Sequence, residues 1–251
     1  MAFLTIDCYS HVLMTEMQVS AILPDETPAP WRTLYLLHGL SDDHTAWMRQ
    51  TSIERYANER GLAVVMPSAH TSYYTDMALG LKYFTYIARE LPRVMRQMMP
   101  GLSHDRRDNW AAGLSMGGYG ALKCALRAPE TFSMAASLSG GVDPARRTAD
   151  DPARRPFWED IFGPLGAIPG SSNDLFAAAQ QLKDAPERPR LWMWCGTEDF
   201  LYPYNAALRD RLYALGYDLT YTESPGSHQW KYWDREIVRA LDWFIAKREE
   251  M

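Results

Sequence analysis

The stretch Asn109 to Ala125, NWAAGLSMGGYGALKCA, constrains the fold more than any other, because it sets one serine between two glycines where an apolar strand gives way to a helix. Asn109 to Leu114 is apolar enough for a buried strand, and Met116 to Arg127 carries helix formers. Gly113-Leu114-Ser115-Met116-Gly117 therefore falls on a sharp strand-to-helix turn, the context in which a G-x-S-x-G pattern exposes its serine. The backbone at such a serine is strained, and side chains two positions either side would collide, which accounts for both glycines. Ser115 is read as a nucleophile. The N-terminus of the following helix presents unpaired N–H groups and its dipole to a developing negative charge. The plainer reading is a glycine-rich turn with an ordinary N-cap serine.

The rest of the chain alternates in a way that suits this turn. Ala2 to Val12 and Met17 to Leu23 read as an antiparallel pair at a sheet edge. Thr33 to Leu37 is a continuous apolar run of the sheet-centre kind, ended by His38-Gly39-Leu40-Ser41-Asp42-Asp43. Ile53 to Arg60 reads as a helix closed by Gly61, and Leu62 to Met66 as a buried strand stopped by Pro67. Lys82 to Met99 has helical spacing, with Pro92 predicting a kink or break. Met134 to Leu138, Leu191 to Cys195 and Asp218 to Thr222 are further strands; Asn205 to Leu215 and a last segment to about Lys247 are helices. Residues 142 to 189, rich in proline, glycine and paired arginines, read as a cap-like insertion over the active-site end of the sheet. The expectation is one α/β domain over residues 1 to 251, with a mostly parallel sheet covered on both faces.

Charge and composition exclude several classes. A net charge of −5 with no basic stripe argues against nucleic acid. The three cysteines, Cys8, Cys124 and Cys195, are far apart and odd in number, so neither a disulfide framework nor a zinc site is indicated. No run approaches the apolar length of a membrane span, and MAFLTIDCYS has no basic n-region, so a cytoplasmic location and no membrane partner are expected.

In a parallel sheet the ligand lies at the carboxyl ends of the strands, so partners of Ser115 must come from loops that follow strands. Among six histidines, His228 follows the last strand and precedes the last helix, and it is the candidate base. His38 reads as a turn residue bonded to local backbone. His11, His44, His70 and His104 read as structural or exposed. Asp199, after the strand ending at Cys195, is the candidate acid, with Glu198 as its competitor. Ser115, Asp199 and His228 then occur in the chain order Ser, Asp, His of α/β-hydrolases.

Several segments carry a family resemblance: HGLSDDHTAW at 38 to 47, YTDM at 74 to 77, YFTYIARELP at 83 to 92, AGLSMGGYGALK at 112 to 123, GTEDFLY at 196 to 202 and GSHQWKYWD at 226 to 234. From His38 onward the chain resembles the putative esterase family, close to its tributyrin esterase branch. It is more distantly similar to S-formylglutathione hydrolases and to feruloyl or acetylxylan esterases. The resemblance implies an α/β-hydrolase fold and a serine carboxylesterase for short acyl chains, with Leu40 and Met116 as oxyanion-hole residues. The cysteine-containing loop usual in the glutathione branch is absent from His38 to Asp42, which weighs against a thioester hydrolase.

Asp42, Asp43 and His44 could be drawn as metal ligands, but consecutive turn residues rarely converge on one ion, and no metal or cofactor is expected. Gly39, Trp47 and Trp230 are the candidate substrate contacts, Trp230 foremost; Trp192, Trp194 and Trp233 are more simply core. Arg146, Arg147, Arg154 and Arg155 could receive an acidic leaving group, although a solvated loop face is the plainer reading. A small-molecule ester is the expected partner, and a homo-oligomer is compatible with the chain. Two further readings stay open: an acyltransferase, in which another acceptor replaces water, and a hydrolase-fold protein that binds without turnover.

Overall fold

The computed structural model of the chain describes residues 1–251. Eight strands form one sheet: β1 (Ala2–Ser10), β2 (Thr15–Leu23), β3 (Thr33–Leu37), β4 (Ala63–Pro67), β5 (Asn109–Leu114), β6 (Met134–Leu138), β7 (Arg190–Gly196) and β8 (Leu219–Ser224), in the spatial order β1-β2-β4-β3-β5-β6-β7-β8. From β4 to β8 all neighbours are parallel, while β2 runs antiparallel to both β1 and β4. This is the α/β-hydrolase architecture. The chain leaves β3 towards β4 on one side and returns as β5 on the other. Connections diverge where β3 and β5 end side by side, with Leu37 opposite Gly113, and such a switch point opens a crevice at the strand ends.

Period-two alternation divides the core into two layers. Tyr35, Leu37, Val65 and Ala111 face one layer, packed under the helices Met116–Arg127, Leu175–Leu182 and Tyr202–Ala214. Leu34, Leu36, Val64, Trp110 and Ala112 face the other, under Ile53–Asn58 and the long C-terminal helix Trp230–Glu249. Trp110 stacks flat on Phe244, with ring centroids 5.0 Å apart. No helix is long and apolar enough to cross a membrane.

Pro92 does not break its helix. A short turn at Tyr83–Thr85 widens into a π-helical turn, Tyr86–Glu90, and continues as Leu91–Met98. The wider turn accommodates a residue that has no N–H to donate and whose ring crowds the preceding carbonyl. It also directs the buried carboxylate of Glu90 towards the β1–β2 turn, where it accepts hydrogen bonds from the Ser10 hydroxyl and the His11 N–H, the latter at 2.9 Å. Residues 142–189 connect β6 to β7 through short helices, two of them N-capped by Asp143 and Asp174. The helix Pro144–Ala149 among them carries no clear periodicity in the sequence.

Candidate active site

Ser115 sits at the end of β5 with φ +53° and ψ −117°, a conformation costing about 1–3 kcal/mol for a residue with a side chain. Three hydrogen bonds hold it there: its N–H donates to Leu138 O at 2.9 Å, while its carbonyl accepts from Gly141 N–H at 3.0 Å and Tyr119 N–H at 3.2 Å. The flanking glycines are required by close approach. A Cβ on Gly113 would lie 2.5 Å from the Gly117 carbonyl, and one on Gly117 would overlap the carbonyl oxygens of Leu37 and His38.

The loops after β7 and β8 bring the other two candidates to this turn. They are stitched together by Thr197 N–H to Ser224 O (3.0 Å) and Glu198 N–H to Gly226 O (2.9 Å). His228 Nε2 lies 3.0 Å from Ser115 Oγ, and His228 Nδ1 lies 2.9 Å from Asp199 Oδ2. In the neutral ring with its proton on Nδ1, that nitrogen donates to Asp199 and Nε2 accepts the Ser115 hydroxyl. The Asp199 side chain is fully buried, and its Oδ1 also accepts Leu201 N–H at 2.9 Å, so the carboxylate is fixed at both oxygens. Glu198 is exposed and turns away. Phe200 and Trp233 flank the imidazole, with centroids 4.7 Å and 4.8 Å from it.

The loop after β3 completes the floor. Gly39 N–H donates to Asp42 Oδ2 at 3.1 Å, and Asp42 N–H returns to Gly39 O at 3.2 Å. Burial raises the Asp42 carboxyl above its ordinary value, opposed by the Gly39 N–H. Leu40 N–H has no acceptor in the protein, and its residue lines the cavity beside Ser115. Met116 N–H lies in the first helical turn, where no intrahelical acceptor exists. Leu40 and Met116 thus present free donors, whereas the Gly39 N–H is already engaged. Asp43 turns to Thr45 and His44 to Ser68, so the three residues weighed as metal ligands diverge.

His38 is a buried local brace. Its Nε2 accepts Ala69 N–H at 2.9 Å, which places the proton on Nδ1 for donation to Gly39 O at 2.7 Å. Burial pushes its pKa down to about 4, against a partial lift from the Gly39 carbonyl. Because the folded ring resists a proton that the unfolded ring accepts near pH 6.5, the stability it contributes is complete above that pH and lost as pH falls towards 4. The loss should reach about 3 kcal/mol, and the His38 ring should keep its neutral NMR signature down to about pH 4. Titration of that signal near the ordinary histidine value would contradict this.

The cavity over Ser115 and His228 measures about 340 Å³. Gly39, Trp230 and Trp233 form part of its wall, but Trp47 does not. Its indole N–H is bonded to Leu37 O at 3.0 Å, its ring is buried, and it supports Trp230 edge-on from behind at 5.1 Å. Trp47 is therefore a core residue rather than a substrate contact. The opposite wall is Tyr73, Arg147, Arg154 and Trp158; the sequence offered the two arginines only as a less plain alternative to a solvated face and did not single out Tyr73 or Trp158. Arg147 and Arg154 are not a merely solvated face: both pair with Asp151, at 3.4 Å and 3.7 Å, and both stack on Trp158. Arg146 and Arg155 turn elsewhere, to Tyr204 and Glu159.

The sheet and this constellation define an α/β-hydrolase. Residues 10–244 match the family described as "Putative esterase". An acetyl esterase of Caldicellulosiruptor saccharolyticus is 31% identical, over 97% of this chain and 98% of the relative. The fluorophosphonate-binding serine hydrolase F of Staphylococcus aureus, solved with substrate bound, superposes with a TM-score of 0.90 at 36% identity, covering 97% and 98% of the two chains. An S-formylglutathione hydrolase from the same organism gives 0.87 at 36% identity over the same shares. The chain belongs to the putative esterase family and is a serine ester hydrolase.

Proposed function

We propose that the chain hydrolyses short-chain carboxylic esters, with Ser115 as nucleophile, His228 as base and Asp199 as the group that orients it. The observation that carries this reading is the pair of contacts made by one imidazole, 3.0 Å to Ser115 Oγ and 2.9 Å to Asp199, beside the unpaired Leu40 N–H. His228 Nε2 takes the hydroxyl proton as Ser115 Oγ attacks the ester carbonyl. The carbonyl oxygen gains its negative charge against the Leu40 and Met116 N–H groups, which need no rearrangement to receive it. His228 then protonates the leaving alcohol, an acyl-enzyme remains, and a water activated by the same ring releases the acid and restores Ser115.

Chain length follows from the walls. A cavity of about 340 Å³, closed by Trp158 on one side and Trp230 and Trp233 on the other, suits a small acyl group. The acetyl esterase relative supports the same range. With p-nitrophenyl esters from acetyl to decanoyl, kcat/KM should be highest between acetyl and butyryl. Faster turnover of the decanoyl ester at equal soluble concentration would reject this pocket reading. Including S-formylglutathione in the panel tests the thioesterase alternative, and adding an alcohol as second acceptor tests acyl transfer.

A further inference from the structure

A second cavity, of about 500 Å³, lies on the same helix that Ser115 heads but shares no residue with the catalytic pocket. Lys123 forms its inner wall, eight residues or about 12 Å along the helix from Ser115. The side chain is 2% exposed, and its ammonium donates one hydrogen bond, to Asn173 Oδ1 at 2.7 Å. Two of its three N–H groups have no acceptor; the rings of Phe84 and Tyr119 lie beside it, at 5.0 Å and 5.6 Å.

Of the other charged groups facing Lys123, two are cations and only Asp76 is an acid. Arg127, one turn further along the helix, spends its terminal nitrogens on Gln181 and Ser171, but its buried Nε–H has no partner. Arg89, on the π-helical turn at the cavity rim, makes no hydrogen bond or ion pair. The one acid in the lining, Asp76, favours the ammonium through its charge, but its oxygens bond to Thr85, at 2.9 Å and 2.7 Å, and make no hydrogen bond or ion pair with Lys123. Asp174, near Arg127, is committed to the backbone N–H groups of Gly170, Phe176 and Ala177. A desolvated cation with unused donors is costly unless an anion meets it.

We propose that this cavity is a second ligand site, taking the oxyanion group of a small molecule, a phosphate or a carboxylate, on Lys123 with Arg89 and Arg127 beside it. The site would be linked to protons. Burial pushes the Lys123 ammonium down to about 7, with Asp76 and Cys124 pulling it up and Arg127 pushing it further down. An anion favours the charged form, so binding should take up a proton above that pH, and affinity should fall as pH rises through it.

Calorimetric titration with sulfate, whose charge is constant across this range, tests the site; phosphate and acetate arms separate the two anion chemistries. Saturable binding is expected in the wild type and equally in Ser115→Ala, which keeps this measurement independent of the esterase reading. Lys123→Met should weaken it by about tenfold or more, the worth of a charge-assisted hydrogen bond in a buried site. Arg89→Ala, at an exposed position without partners, should also weaken it, and it decides the matter if Lys123→Met does not fold. The sulfate enthalpy should vary with buffer ionisation heat at about pH 8 and not at about pH 6. Absence of saturable binding for all three anions, or binding unchanged by both substitutions, would overturn the proposal and leave Lys123 as a strut to Asn173.

Discussion

Ser115→Ala is expected to lower ester turnover by on the order of 10⁴- to 10⁶-fold while leaving the fold intact. The turn is held by backbone hydrogen bonds to Leu138, Gly141 and Tyr119, none of which uses the hydroxyl, and alanine meets the same positive φ that serine does. What disappears is the only oxygen within reach of His228 Nε2. The variant should also lose its fluorophosphonate adduct, read by intact mass, because such reagents label a hydroxyl quickly only where a base activates it. Ser41 lines the same cavity but makes no hydrogen bond to a histidine, so it should not substitute. Undiminished labelling in Ser115→Ala, or a rate within about tenfold of wild type, would remove Ser115 from the role proposed for it.

The parts of the fold legible in the sequence are those where one local rule decides. β3, β5 and β6 are short apolar runs bounded by polar or glycine turns, and the expected Thr33–Leu37, Asn109–Leu114 and Met134–Leu138 are the strands observed. Ser115 was legible for a related reason: a strand, a crowded turn and a helix compete for adjacent residues, and only glycine two positions either side resolves the overlap. His228 and Asp199 followed from topology, since only loops at the carboxyl ends of parallel strands can reach the turn. The wider turn before Pro92 was not legible. Proline announces a missing donor, but whether the helix bends, breaks or widens depends on what packs around it, here the buried Glu90 reaching to the first hairpin.

The pocket walls lay beyond the sequence for a physical reason as well. Residues 142–189 have no sustained period, so nothing local indicates which arginine or tryptophan faces inward. Arg147 and Arg154 are selected by a shared contact, Asp151 on one side and Trp158 on the other, that exists only once residues 142–189 are folded. Trp47 failed as a substrate contact by the same logic. Its indole N–H bonds Leu37 O inside the core, and the buried ring stands behind Trp230 rather than at the cavity. Nothing in the sequence around Lys123, within the helix Met116–Arg127, marks it as buried. Its burial depends on Phe84 and Asn173, brought to it from distant segments.

Asp199→Asn should reduce kcat by on the order of 10⁴-fold at unchanged stability, although it alters one atom that never touches substrate. The Asp199 carboxylate accepts from both His228 Nδ1 and Leu201 N–H. An asparagine would keep its oxygen on Leu201 N–H, leaving its amide nitrogen where Oδ2 now lies, 2.9 Å from Nδ1. Two donors cannot share that contact, and the remaining oxygen, 3.1 Å from Nδ1, already accepts Leu201 N–H, so the imidazole proton is expected on Nε2, the nitrogen that must accept from Ser115. Loss of the carboxylate would also leave the imidazolium formed during attack without its counter-charge in a buried site. Glu198→Gln is the matched control: the side chain is exposed, its backbone alone joins the loop to Gly226, and turnover should stay within roughly a few-fold of wild type. Imidazole nitrogen NMR on Asp199→Asn should show the proton on Nε2. If turnover instead collapsed in Glu198→Gln and persisted in Asp199→Asn, the orienting acid would be Glu198, and the loop after β7 would have to turn the other way in the working enzyme.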